Sequence, residues 1–174
     1  MTDSTPPSDD VRGPDPTEQS RWRPLRLLMA AMDRDIGRLY EERALEMVRP
    51  RFVMPLIRLG RSGPMTIRQL AAGLDVTHSA MSQTVSALRR DGLVRTVAGS
   101  DARTREVVLT AKARELVPFL EAEWRATERA VAALEDEITY PLSQVVRDIE
   151  SALERRSFHD RIVESLEQSG EDPA

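Results

Sequence analysis

The chain contains no cysteine and only two histidines in 174 residues. The first absence excludes disulfides, thiolate metal sites and a cysteine-based oxidation switch. His78 and His159 lie far apart in different predicted elements, which argues against a zinc site. No apolar stretch reaches the ~20 residues that a membrane-spanning helix requires. The first 20 residues are rich in Ser, Asp and Pro and lack the basic start and apolar run of a secretory signal. They read as a disordered acidic leader. There is no glycine-rich phosphate loop, no nucleophile elbow, and no histidine placed beside a candidate nucleophile. Together these absences predict a cytoplasmic protein with no enzymatic activity, no catalytic residues, no cofactor, no metal and no membrane partner.

What is present points elsewhere. The content is 40% hydrophobic and 31% charged, ordinary for one compact unit of this length. The formal net charge of −4 argues against bulk attraction to nucleic acid. Its distribution reverses that impression. Between Arg61 and Lys112 stand eight basic residues (Arg61, Arg68, Arg89, Arg90, Arg95, Arg103, Arg105, Lys112) and four acidic ones (Asp75, Asp91, Asp101, Glu106), a local charge of +4. The acidic excess lies in the tails and flanking segments, so a footprint for phosphate exists in the middle of the chain.

That middle, Pro64 to Thr110, has a definite order of elements. Thr66 can cap a helix whose apolar positions Ile67, Leu70 and Ala71 follow helical spacing. Gly73 is a plausible break, since glycine accepts the left-handed conformation that ends helices. Leu74 and Val76 are expected to pack inward across the turn. Thr77 stands where a second cap is needed. Val76, Ala80, Met81, Val85 and Leu88 then form an apolar stripe, and Gly92 stops the helix. The opposite face carries His78, Ser79, Ser82, Gln83, Ser86 and Arg89, followed by Arg90. It has no acid before Asp91, so it can approach phosphates and base edges without repulsion. The serines lack a general base other than His78, and their place on this polar face fits hydrogen bonding to DNA better than nucleophilic catalysis. A pH-sensing role for His78 is the weaker reading; a contact to DNA backbone or base edge suits its position near the helix start.

Leu93 to Val97 reads as a strand and Glu106 to Leu109 as its return. The intervening 98–105 segment is turn-rich and bears Arg103 and Arg105. An arginine at a hairpin tip suits a narrow minor groove, where the negative potential is strongest. Asp101 is expected to hold Arg103 by a charge-assisted hydrogen bond. Helix, turn, helix and hairpin in this order describe a winged helix-turn-helix.

At these residues the chain resembles the MarR (multiple antibiotic resistance regulator) family of transcription factors. The matching stretches are GPMTIRQLA, the helix THSAMSQTVSALRRDGLV, and the wing signature Asp101-x-Arg103 followed by Leu109-Thr110. The likeness extends more loosely over about Leu25 to Leu153. Ala113, where the family often has glycine, and Pro55, early in the preceding helix, are departures. Pro55 removes a backbone donor and crowds Arg51. The resemblance implies a mainly α fold with a small β-hairpin wing. A winged helix-turn-helix DNA-binding lobe would be joined by N- and C-terminal dimerisation helices. The expected organisation is a leader at 1–20, a single domain at 21–168 and a flexible tail at 169–174. Within the domain the winged core spans about 50–112, between dimerisation helices at about 21–49 and 111–168.

The flanks support that outline. Leu25, Leu28, Met32, Ile36 and Leu39 mark one face of a helix expected to run to about Met47. Leu116, Leu120, Trp124, Thr127, Val131, Leu134 and Ile138 alternate steps of three and four, a coiled-coil-like seam that Pro118 should kink. Tyr140-Pro141 breaks it. A further helix carries Leu142, Val145, Ile149 and Leu153, and a short last one Phe158, Ile162 and Leu166. Such faces either cover the domain's own core or pack against a second copy, and the resemblance favours a homodimer. A two-fold dimer would present two helices to half-sites one turn of double-stranded DNA apart. The expected DNA contacts are Thr77, His78, Ser79, Ser82, Gln83, Ser86, Arg89, Arg90, Asp101, Arg103 and Arg105. The family commonly binds a small aromatic or anionic effector, for which Tyr40, Phe52, Arg58 and Trp124 are the candidate lining. Two functions stay open: a dimeric repressor released by a ligand, and a winged-helix protein-interaction module that does not bind DNA.

Overall fold

The structure, a computed structural model, describes residues 15–99 and 104–170. The described elements are mostly helical, with one two-stranded antiparallel sheet. A short 3-10 turn, Pro16–Glu18, precedes α1 (Arg23–Glu41), α2 (Pro50–Ser62), α3 (Ile67–Gly73) and α4 (His78–Arg90). Strands β1 (Val94–Ala98) and β2 (Arg105–Leu109) follow, then α5 (Ala111–Asp136), α6 (Leu142–Arg155) and α7 (Phe158–Ser169). The chain divides into two compact units, one ending at Arg114 and one beginning at Glu115, so α5 takes part in both.

In the first unit, α1 ends at Glu41, short of the expected Met47. The reason lies in the next helix. Pro50 occupies its first position, where the missing N–H costs nothing, and proline pushes the residue before it out of helical conformation. Arg49 is accordingly extended, at φ −124° and ψ 149°. Between the helices, Ala44 adopts a positive φ of 55° and the Leu45 amide closes on the Tyr40 carbonyl at 2.8 Å. Pro55 sits inside α2 without ending it. An interior proline costs roughly 3 kcal/mol. The helix survives because Phe52, Val53, Leu56 and Leu59 on the same element are all buried.

α3 begins as its residues dictate. The Thr66 hydroxyl accepts from the Gln69 amide at 3.1 Å, and the Gln69 side chain accepts from the Thr66 amide at 2.8 Å. This reciprocal capping box satisfies two donors that a helix start leaves over. The break after α3 differs from expectation. Gly73 is the last helical residue, and Asp75 is the one with positive φ, 51°. Aspartate tolerates that region because its short side chain can bond locally. Val76 spends its amide on the Ala71 carbonyl at 3.1 Å, and its side chain is 43% exposed rather than packed inward. Ala80 is exposed as well, so the buried stripe of α4 is Met81, Val85, Ala87 and Leu88.

The hairpin pairs Val94 with Leu109 through to Ala98 with Arg105. Met65, just before α3, adds an antiparallel bridge to Val107, with amide–carbonyl distances of 3.2 and 2.7 Å. Below the strands the Thr110 hydroxyl donates to the Gly92 carbonyl at 2.9 Å and accepts from the Ala113 amide at 3.3 Å. One side chain thus joins the exit of α4 to the start of α5. The core of this unit is continuous: Tyr40, Phe52, Leu56, Leu70, Leu88, Leu93 and Val107 are each 1% exposed or less.

In the second unit Leu120 and Glu123, both on α5, are buried. Its helices are well terminated. Glu135 accepts from the Ser143 amide and hydroxyl, each at 2.7 Å, which holds its carboxyl below the usual carboxylate range. Ser157 caps α7 on the Asp160 amide, and Arg156 pairs with Glu164. α5 stops at Asp136 and leaves Ile138 in the turn beyond, because Tyr140 precedes Pro141 and the last turn tightens. Neither α6 nor α7 buries a single residue.

The α3 break gives a test. A Cβ on Gly73 would meet only ordinary van der Waals contacts at 3.8 Å. Gly73→Ala is therefore expected to be neutral or stabilising by up to about 1 kcal/mol, from helix propensity. Urea unfolding checks this; a loss beyond 1 kcal/mol would mean the glycine is needed after all.

Candidate nucleic-acid interface

The polar face of α4 is held from both ends. Thr77 is extended and its hydroxyl accepts from the Ala80 amide at 3.2 Å, which fixes where the helix starts. At the far end Asp91 caps, and Gly92 takes a positive φ of 70°. The Leu93 amide returns to the Leu88 carbonyl at 2.9 Å. Buried Met81, Val85 and Leu88 set the rotation of the helix about its axis. With ends and rotation fixed, His78, Ser79, Gln83, Ser86, Arg89 and Arg90 are exposed, and Ser82 is half-buried.

No exposed carboxylate interrupts this face between His78 and Arg90. Thr84 turns its hydroxyl back onto the Ala80 carbonyl at 3.0 Å. Thr77 keeps a further use, since a hydroxyl that accepts one bond can still donate its own proton. Arg90 has an acidic neighbour: Asp91 lies 3.7 Å from its Nε and 3.8 Å from Arg49 Nη2. These are ion-pair rather than hydrogen-bond distances; the Asp91 carboxylate is mostly covered, but both arginines are exposed and their heads are held only loosely.

The wing brings a second group of cations near its strands. Arg95 and Arg105 are exposed on β1 and β2, while Val94, Val107 and Val108 on the same strands are buried. Below the tip, Gly99 donates to the Thr104 carbonyl at 3.0 Å. A Cβ on Gly99 would fall 2.3 Å from Thr104 Oγ1, so the wing admits no side chain there without moving that residue. Asp101 and Arg103 lie outside the described residues.

The residues expected to line an effector site are differently placed. Tyr40 and Phe52 are enclosed in the core of the first unit. Arg49 and Arg51 stand over the Phe52 ring, with guanidinium carbons 5.6 and 5.5 Å from its centre. Arg58 donates from Nη2 to the Gly73 carbonyl at 2.7 Å. Trp124 belongs to the second unit and is 37% exposed. Among the described residues no cluster of His, Asp or Glu could hold a metal ion, and no helix is long and apolar enough to cross a membrane.

Comparison with known proteins bears on this geometry directly. Residues 56–104, which hold the second half of α2, both helices of the turn, β1 and the chain up to the residue before β2, match the sequence model of the MarR family. The segment is of the MarR family. No curated protein matches the chain. Solved structures show the same fold over most of its length. The Staphylococcus aureus MepR–DNA complex shares 15% identity over 77% of this chain and 95% of its own, with a TM-score of 0.58. A MarR protein from Peptoclostridium difficile shares 19% identity over 84% of this chain and 93% of its own, at 0.55. An uncharacterized SlyA-like transcription regulator from Listeria monocytogenes shares 14% identity over 84% and 95%, at 0.54. At such identities the likeness establishes a MarR-like winged-helix fold.

Thr77 separates the structural from the surface part of this face. Thr77→Ala is expected to cost about 1 kcal/mol of stability through loss of the cap, and Thr77→Ser to retain most of it. Chemical unfolding of the two variants checks this; equal midpoints would show that the hydroxyl does not start α4.

Proposed function

We propose that this chain is a sequence-specific DNA-binding transcriptional regulator, a dimeric repressor that occupies a pseudo-palindromic operator. The observation that carries the reading is the exposed, acid-free face of α4, locked in rotation by its buried stripe and in position by its caps. In this reading α4 enters the major groove. Gln83 and Ser79 read base edges, while Ser82, Ser86, His78, Arg89 and Arg90 engage edges or phosphates. Arg105 and Arg103 on the wing meet the minor groove, with Asp101 orienting Arg103.

Dimerisation is the second half of the proposal, and exposed apolar surface supports it. In the single chain Leu28 is 51% exposed, Val146 45% and Ile162 46%, and Leu27, Met29, Leu153, Phe158 and Val163 on the same helices are exposed as well. Each such side chain fully buried would contribute about 1.5–3 kcal/mol. A second copy of the chain is the occupant that also gives two recognition helices to one palindrome. Release by a small aromatic or anionic effector completes the reading. Such a ligand must prefer the non-binding spacing by several kcal/mol to empty the operator.

Two measurements test these parts separately. Purified protein is used to retain fragments of genomic DNA at ~150 mM salt, where non-specific binding is weak. A shared inverted repeat among the retained fragments is expected. Gln83→Ala should relax base preference by ~1–3 kcal/mol at one position per half-site, whereas Arg103→Ala should weaken all sequences alike. No enrichment, or variants that bind like the parent, would sink the docking scheme and favour a protein-interaction module. Independently, Val146→Glu is expected to shift the sedimenting species from dimer toward monomer. A parent that sediments as a monomer would overturn the dimer.

A further inference from the structure

Arg58 has a task that the expected effector site does not account for. α3 ends at Gly73, and the last carbonyls of any helix lack intrahelical donors. The Ala71 carbonyl receives the amides of Leu74 at 3.4 Å and Val76 at 3.1 Å. The Gly73 carbonyl receives Arg58 Nη2 at 2.7 Å, from a helix fifteen residues earlier. The guanidinium approaches closely: its Cζ and Nε lie 3.8 Å from where a Gly73 Cβ would stand. A cation at a helix C-terminus is also favoured by the helix dipole.

The turn that this contact precedes is not self-sufficient. Asp75 is held at φ 51°, a conformation that costs a non-glycine residue free energy. Two residues later Thr77 starts α4. The direction in which α4 leaves the turn is therefore set by how the end of α3 is anchored. α2, which carries Arg58, is itself seated in the core by Phe52, Val53, Leu56 and Leu59. We propose that Arg58 is a positioning residue for DNA recognition: its charge-assisted hydrogen bond to the Gly73 carbonyl ties the α3–α4 turn to α2 and sets the angle at which α4 is presented. This rests on the DNA-binding reading above. The guanidinium touches no DNA in this scheme; it acts through the turn.

The test uses the full chain, with Arg58→Gln to remove the charge and Arg58→Lys to restore a cationic donor. Arg58 is exposed, and neither variant empties core volume, so both are expected to fold. Hydrogen exchange at the Val76 amide reports the turn without DNA. In Arg58→Gln that exchange is expected to quicken, and affinity for the retained genomic fragments to fall about tenfold. Arg58→Lys should recover most of both, with exchange within α2 unchanged in each variant. Unchanged exchange at Val76 overturns the clamp. Faster exchange with parental affinity overturns the positioning role. Failure of the parent itself to retain DNA fails the DNA-binding reading, and with it the positioning role, while the exchange arm still decides the clamp. Should Arg58→Gln lose its fold, Arg58→Met, which keeps the aliphatic stem and removes the donor, takes its place with the same two readouts and the same overturning results.

Discussion

A helix of seven residues leaves more backbone groups without a partner along its own axis than it pairs, because each end strands up to four. α3 is such a helix, and nothing in its length would let it persist alone. It exists because its ends are closed from outside. Thr66 and Gln69 close the first; the amides of Leu74 and Val76 and the guanidinium of Arg58 close the last. Buried Leu70 and Ala71 press it against the core between them. Everything downstream inherits this placement. Four residues separate the end of α3 from the start of α4, whose polar face can be aimed only as well as α3 is held.

The two units solve the burial problem differently. The first encloses large side chains completely: Phe52, Leu56, Leu70 and Leu88 have no measurable exposure. The Met65–Val107 bridge and the Thr110 hydroxyl then tie the hairpin to the helices on either side of it. The second unit fixes its helix ends with polar interactions, Glu135–Ser143, Ser157–Asp160 and Arg156–Glu164 among them, while α6 and α7 bury no residue. In the proposed dimer these uncovered apolar faces would meet a second copy, on helices whose ends are already fixed within the single chain. That division matches the proposed roles, a self-contained reading lobe and a flank completed by a second copy.

Which parts of this were legible in the residues follows from how local each cause is. Thr66, Thr77 and Gly92 act within one turn, so the start of α3 and both ends of α4 could be placed from sequence. The hairpin was legible from its alternating pattern, to within one residue at each strand. What failed was set by competition between neighbours. Gly73 was the obvious candidate for the left-handed residue, yet Asp75 takes it, because the helix runs to Gly73 before the chain turns. The apolar periodicity of α1 continues in the sequence past Glu41, where the helix ends, while Pro50 marks a new helix start. The seam of α5 was followed to Ile138, although Pro141 limits the helix. Val76 fitted a helical stripe but precedes the cap, where the stripe does not apply. In the sequence Arg58 stands out only as a cation to set beside aromatics; its partner is a backbone carbonyl, which no side-chain pattern advertises.

Charge distribution constrains what the proposed interface can rely on. The chain is acidic overall at −4, with a local excess of +4 between Arg61 and Lys112. Bulk attraction to DNA is therefore weak, and the arginines of the helix and wing must supply what phosphate affinity there is. One of them, Arg90, shares its charge with Asp91, which reduces that supply further. A regulator built this way gains little from sitting on arbitrary sequence. In the proposed reading, discrimination falls on short neutral donors and acceptors, Ser79, Ser82, Gln83 and Ser86, whose hydrogen bonds are sharply directional. Directional contacts tolerate little error in helix placement, whereas a diffuse basic patch would tolerate a great deal. The capped ends of α4, its buried stripe and the clamp on the preceding turn thus answer one requirement: a weakly charged reader must be a well-aimed one.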